Sequence, residues 1–133
     1  MRTLALVLVI SILVVGAGCR TAPIYNATNI PLAPASHTRI TLDDVTKGVL
    51  AAGKSRGWVM DQVRPGVITG SLTTNQHLAE VTVTYDTSRF SITYKNSKNL
   101  LRAGNDIHKR YNTWVNELQA AIQDEMSRLP AKK

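Results

Sequence analysis

Cysteine and histidine are both scarce in this chain, and their scarcity excludes several kinds of site. Cys19 is the only cysteine among 133 residues, so neither an internal disulfide nor a zinc site built from cysteine pairs is possible. The three histidines, His37, His77 and His108, stand far apart, whereas a metal site needs three or four convergent ligands. The sequence also lacks a glycine-rich phosphate loop, a serine–histidine–aspartate arrangement and an HExxH motif. We therefore predict no metal, no cofactor and no enzymatic activity.

Long hydrophobic runs are missing too, apart from an apolar stretch over residues 4–15. This stretch is shorter than the ~20 apolar residues that cross a bilayer. Arg2 precedes it, and the small residues 16–18 separate it from Cys19, which is the order of a secretory signal. Residues 15–19, Val-Gly-Ala-Gly-Cys, resemble the lipobox of bacterial lipoproteins.

The lipobox resemblance implies cleavage before Cys19, a diacylglyceryl group on its sulfur and an acyl chain on its new amino group. Several chains make such attachment durable, because one chain alone binds a membrane only marginally. Arg20 follows the cysteine, where the family's rule for inner-membrane retention expects Asp, so we predict the outer membrane, on its periplasmic face. Two alternatives stay open: an ordinary secretory signal with Cys19 as a bystander, and an uncleaved membrane helix.

Acidic residues are outnumbered, at 9 against 16 basic residues, and the formal net charge is +7. Removal of residues 1–18 takes away one basic residue, Arg2, and no acid, which leaves +6. A basic surface attracts anionic partners. In the envelope these are lipid headgroups, cell-wall polymers or an envelope protein, and we predict no nucleic-acid partner. The alternative is that the charge only keeps a monomer soluble.

The pattern along the chain predicts four segments. Residues 1–18 form the signal peptide, and residues 19–37, which contain Pro23, Pro31 and Pro34, form an extended tether. Residues 38–130 form one small domain, and residues 131–133 are a basic tail.

The domain itself is predicted to be α+β, with the order α-β-β-β-β-α. Thr41 is a good N-cap for a helix over 42–56, and apolar spacing predicts a second helix over 106–129. Between them lie four alternating segments, 58–64, 67–74, 77–86 and 89–95, separated by two-residue turns. We therefore predict a four-stranded antiparallel meander with both helices packed on its apolar face.

Two-residue turns also predict which residues face each other across the strands. They place Val63 opposite Ile68, Leu72 opposite Ala79 and Tyr85 opposite Phe90, all on the apolar face. The outer face is then rich in threonine and carries an exposed pair of Glu80 and Lys95. This register also places Trp58 and Met60 on the outer face, as a possible contact patch or as ordinary scattered apolar surface. It places Asp61 on the core side, either lining a small pocket or reaching solvent at a sheet edge.

A polar and basic cluster around the start of the second helix is the candidate binding surface, together with the threonine-rich sheet face. Its members are Lys95, Lys98, Arg102, Asp106, His108, Lys109, Arg110 and Asn112. Exposed amides at a helix start bind anions well. The alternative interpretation is helix capping by Asn105 or Asp106 with a surface histidine. Two further hypotheses are a small-ligand pocket near Tyr94, Asp106 and His108, and, more weakly, an enzyme in the same region.

Several short motifs of the domain resemble a group of small proteobacterial lipoproteins that have no assigned activity. The motifs are Gly57-Trp58, Pro65-Gly66, His77, Ser91-Ile92-Thr93-Tyr94, Ser97, Asn99-Leu100, Ile107-His108, Tyr111-Asn112 and Trp114-Val115. The ending, IHxxYNxWVxxL, is the most specific of them. The resemblance implies a lipid-anchored envelope location and leaves the activity open.

Overall fold

The computed structural model describes residues 19–33 and 39–129, and the statements below concern these two stretches. The predictions for residues 1–18 and 131–133 lie outside them. The elements in chain order are β1 Thr21–Pro23, β2 Ala27–Pro31, α1 Leu42–Ser55, β3 Val59–Arg64, β4 Val67–Thr74, β5 His77–Tyr85, β6 Arg89–Lys98, β7 Asp106–His108 and α2 Lys109–Ser127.

The chain is α+β, as predicted, but its main sheet has five strands rather than four. The order in this sheet is β2-β6-β5-β4-β3, with each neighbouring pair antiparallel. The predicted meander of β3 to β6 is therefore extended at one edge by β2. A second, two-stranded sheet pairs β1 with β7.

The segment predicted as a tether is part of the folded domain. Ala27 and Leu32 are buried in the core, and Ile30 packs against it. Pro31 ends β2 opposite Arg89, at the edge of the sheet, where a residue without an N–H group is tolerated. The tether prediction is therefore wrong for residues 21–31, and its residues 34–37 lie outside the described part.

The hairpins β4–β5 and β5–β6 have the predicted registers around their turns. Leu72 faces Ala79 in the first, and Tyr85 faces Phe90 in the second. All four side chains are buried, so the alternation of apolar residues identified the core face of these strands correctly.

The register predicted for the β3–β4 hairpin is wrong by one residue. Gln62, not Val63, faces Ile68, because the register shifts between Gln62 and Arg64. A one-residue shift exchanges the two faces of a strand. Trp58 is therefore 4% exposed and lies in the core, whereas Val59 is 71% exposed.

The same shift reverses the predictions for the other β3 side chains. Met60 packs against the core instead of lying on the outer face. Asp61 is exposed and lines the outer face instead of the core side. Its carboxylate thus reaches solvent, which was one of the two predicted outcomes.

The first helix has the predicted start, and the second begins later than predicted. Thr41 accepts from the backbone N–H of Asp44, whose side chain accepts from the Thr41 N–H in return, which is a capping box. Helix α2 begins at Lys109, because residues 106–108 are paired with β1 as strand β7. The predicted apolar stripe of α2 is otherwise correct, with Tyr111 and Ile122 fully buried.

One hydrophobic core joins both helices to the inner face of the main sheet. Val49 of α1, Leu118 of α2 and Val81 of β5 belong to the same buried cluster. The outward residues of β4 to β6, such as Thr73, Thr84 and Thr93, are exposed. Neither helix of the described chain is long and apolar enough to cross a membrane.

Candidate functional site

The eight residues of the predicted binding surface fall into three separate environments. His108, Lys109 and Arg110 form the junction of β7 and α2, Asp106 lies at the other end of β7, and Asn112 lies one turn into the helix. Lys95 and Lys98 belong to β6, and Arg102 belongs to the loop that follows it. The structure therefore brings together only part of the predicted set.

His108 is a helix cap. Its Nδ1 accepts from the backbone N–H of Arg110 at 3.0 Å, which is the N-cap contact of α2. Its own N–H donates to the Leu100 carbonyl at 2.7 Å. The capping interpretation thus names the right role and the wrong residue, since Asn105 precedes β7 and Asp106 is its first residue.

Asn112 holds the N-terminal segment against α2. Its Oδ1 accepts from the Tyr25 N–H and its Nδ2 donates to the Pro23 carbonyl, both at 2.9 Å. The Tyr25 hydroxyl in turn donates to Gln119 Oε1 at 2.7 Å. Because both ends of the Asn112 amide are bonded within the fold, we assign it a structural role.

Arg102 lies over an aromatic pair rather than at the edge of an open ligand pocket. Its guanidinium carbon is 4.3 Å from the ring centre of Tyr94. Tyr94 meets Tyr111 edge to face, with ring centres 5.6 Å apart, and its hydroxyl is 2.8 Å from Ser97 Oγ. The rings occupy the region around Tyr94 where a ligand pocket was predicted, and this packing counts against that hypothesis.

The Tyr111 hydroxyl, at the bottom of this stack, is buried and has no hydrogen-bond partner among residues 19–33 and 39–129. Burial is the main cause that raises the pKa of this phenol far above its ordinary value, because a buried phenolate is poorly solvated. The hydroxyl therefore stays protonated in the physiological range.

Lys95 lies in a β-bulge on the open face of the sheet. Glu80 faces Asn96 and Val81 faces Tyr94, so Lys95 is the extra residue between them. The predicted Glu80–Lys95 cross-strand pair is replaced by a hydrogen bond from Asn96 Nδ2 to Glu80 Oε2 at 3.0 Å. Bulges redirect side chains, and this one places Lys95 at a shallow groove.

The groove has a volume of about 210 Å³ and crosses β3, β4, β5 and β6 on the face away from the helices. It is lined by Val59, Asp61, Thr69, Gly70, Ser71, Glu80 and Lys95. Two carboxylates, one ammonium group and two hydroxyls give it both donors and acceptors of hydrogen bonds. We call this the sheet groove.

The β3 part of the sheet groove, Val59 and Asp61, could not be predicted from the sequence pattern for a specific reason. A regular two-residue hairpin turn at Pro65-Gly66 predicts Val59 and Asp61 on the face that packs against the helices. Pro65 and Gly66 favour a type II turn instead, and Gly66 has a φ of +84°. That turn signal, Pro65-Gly66, was the hint of an irregular register that the sequence offered.

Another depression, of about 480 Å³, lies at the end of α1 and beside α2. Its lining includes Arg56, Asp124, Glu125 and Arg128. Asp124 pairs with Arg128 at 2.6 Å, with both side chains more than half exposed, as in an ordinary surface ion pair. Across the described residues, no cluster of three or more histidine, cysteine, aspartate or glutamate side chains has the arrangement of a metal site.

Comparison with known proteins gives no relative to argue from, because no family model, no curated protein and no solved structure matches the chain.

Proposed function

We propose that this chain is a lipid-anchored protein of the bacterial outer membrane, without enzymatic activity, that presents its open sheet face to an envelope partner. The partner is a protein or cell-wall material. The observation that carries the proposal is the lipobox-like segment ending in the only cysteine of the chain.

The position of Cys19 is compatible with acylation. Its side chain is exposed and free, and a single residue, Arg20, separates it from the first strand. Acyl chains attached there would not displace any core residue, because the buried core of the described chain begins at Ala27.

The sheet groove is the part of the surface best suited to a partner. Both helices cover the other face, so the groove faces outward with its polar side chains and the exposed Val59. Mixed apolar and hydrogen-bonding surface is typical of recognition sites. The neighbouring threonines add hydroxyls that suit a glycan or a peptide backbone.

Acylation is tested by the mass of the mature protein purified from membranes, compared with a Cys19→Ala variant. We expect a mass increase that corresponds to a diacylglyceryl group and an amide-linked chain, and we expect the variant to lack it. An unmodified thiol in the wild-type protein would overturn the lipid anchor.

The partner face is tested by photo-crosslinking in intact cells. A photoreactive residue at Thr93, on the open face, is compared with one at Gln123, which is exposed on α2. We expect adducts with envelope proteins or peptidoglycan from position 93 and few from 123. Equal labelling at both positions would remove the sheet face from consideration.

A further inference from the structure

The lipid attachment point lies directly against the folded domain. The Arg20 carbonyl accepts from the Lys109 N–H at 2.9 Å, and Thr21 pairs with His108. One residue spans at most about 3.6 Å, so Cys19 must stay within a few ångströms of the bonded Arg20 and thus close to the start of α2. If Cys19 is acylated, as proposed above, this end of the domain must lie at the membrane surface.

The residues at this end are basic. Arg20, Lys109 and Arg110 are all exposed, and the first turn of α2 contains no acidic residue. Positive charge at a helix N-terminus opposes the helix dipole and lowers stability. Helix α1 has the usual arrangement, with Asp43 and Asp44 in its first turn.

An exposed leucine lies beside these charges. Leu101 is 55% exposed with a left-handed backbone (φ +53°), and the preceding carbonyl of Leu100 accepts from the His108 N–H. Leu100 thus flanks β7 on the side away from β1, so the loop that contains Leu101 lies about two strand spacings, ~10 Å, from β1. Asp106, the nearby acid, lies at the other end of β7.

We propose that Arg20, Leu101, Lys109 and Arg110, here called the anchor face, dock on anionic phospholipid headgroups. The basic groups contact the phosphates and Leu101 enters the headgroup region. The acyl chains at Cys19 then fix the domain in one orientation, with the start of α2 against the bilayer. This inference rests on the proposed acylation, but it adds an orientation that acylation alone does not require.

The test uses the acylated protein in vesicles of phosphatidylcholine with phosphatidylglycerol, or of phosphatidylcholine alone. Because Cys19 is the only natural cysteine, a fluorophore is attached selectively at Leu101→Cys or, as control, at Thr87→Cys. Thr87 precedes β6, whose ten residues separate it from the loop of Leu101 by about 30 Å. Brominated lipids quench a fluorophore that touches the bilayer.

We expect strong quenching at position 101 in anionic vesicles, weak quenching at 87, and a loss of the difference in neutral vesicles or at high ionic strength. Equal quenching at both positions, in protein that still floats with the vesicles, would overturn the orientation and leave the lipid anchor intact. Protein that is not acylated and does not float would overturn the proposed function itself.

Two double variants that reverse the same number of charges, one on the anchor face and one elsewhere, test the role of the basic residues. Lys109→Glu with Arg110→Glu should reduce the docked population at least tenfold, since each basic residue near an anionic surface is worth about fivefold. The same variant should melt at a higher temperature, because acids suit the helix start. Lys54→Glu with Arg64→Glu changes the net charge equally, away from the anchor face, and should leave quenching unchanged. An equal loss in both variants would contradict a specific face.

Discussion

Single buried hydroxyls differ in what they contribute to the free energy of unfolding, and Tyr111 and Tyr85 allow a direct comparison. The Tyr111 hydroxyl is unpaired, whereas that of Tyr85 lies 2.6 Å from Thr46 Oγ1. We expect Tyr111→Phe to leave the free energy of unfolding unchanged or to raise it by up to about 1 kcal/mol, and Tyr85→Phe to lower it by about 1 kcal/mol. Urea denaturation measures both. A loss above about 1 kcal/mol for Tyr111→Phe would indicate a hidden partner such as bound water.

Asp86 should contribute a pH-dependent share of stability. Its Oδ1 accepts from the N–H groups of Ser88 and Arg89, and these bonds lower the pKa of the carboxyl. Because the folded pKa lies below the unfolded one, the stabilisation is present above about pH 4 and is lost as the pH falls through the folded value. Asp86→Asn keeps an acceptor without the titration. Urea midpoints should therefore fall less steeply with acid for the variant, and parallel curves would contradict this.

At the scale of elements, the sequence predicted both helices and the four strands β3 to β6, but it missed β1, β2 and β7 and gave β3 the wrong register. In β5 the apolar residues Val81, Val83 and Tyr85 alternate with polar ones, so only one register buries them. In β3 both faces carry apolar side chains, Trp58 and Met60 on one and Val59 and Val63 on the other. The alternation of apolar residues therefore fits both registers of β3. The irregularity between Gln62 and Arg64, next to the turn, sets the register that is observed.

The junction between β7 and α2 depends on the imidazole of His108 as a cap. We expect His108→Ala to destabilise the domain by about 1 kcal/mol, because the Arg110 N–H loses its acceptor. His108→Asn supplies a side-chain oxygen and should restore most of the loss. Hydrogen exchange at the Arg110 amide provides a local measurement, which should accelerate in the alanine variant only. If the Arg110 amide of the alanine variant exchanged at the wild-type rate, the cap would be dispensable.

For the whole molecule, the sequence predicted a lipid-anchored α+β domain and misjudged where the domain begins. Proline and asparagine near the N-terminus resemble a linker, yet edge strands tolerate them because one side of an edge needs no ladder bonds. Asn26 accepts from the Tyr94 N–H and Asn112 binds the Pro23 carbonyl, contacts that join distant parts of the chain. Local composition carries no signal for such pairings. The residues of the predicted basic surface lie on separate elements, and local composition gives no signal of how these elements pack together.

The role of this N-terminal segment is testable by truncation. A chain that begins at Arg39 lacks β1 and β2, so it loses the buried Ala27 and Leu32 and exposes the edge of β6. We expect it to be less stable by more than about 3 kcal/mol than a chain that begins at Arg20, and to self-associate through the uncovered strand. Urea unfolding and size-exclusion chromatography measure the two effects. Equal stability of both chains would mean that the segment is a tether after all, and the anchor face would then lose its fixed position at the membrane.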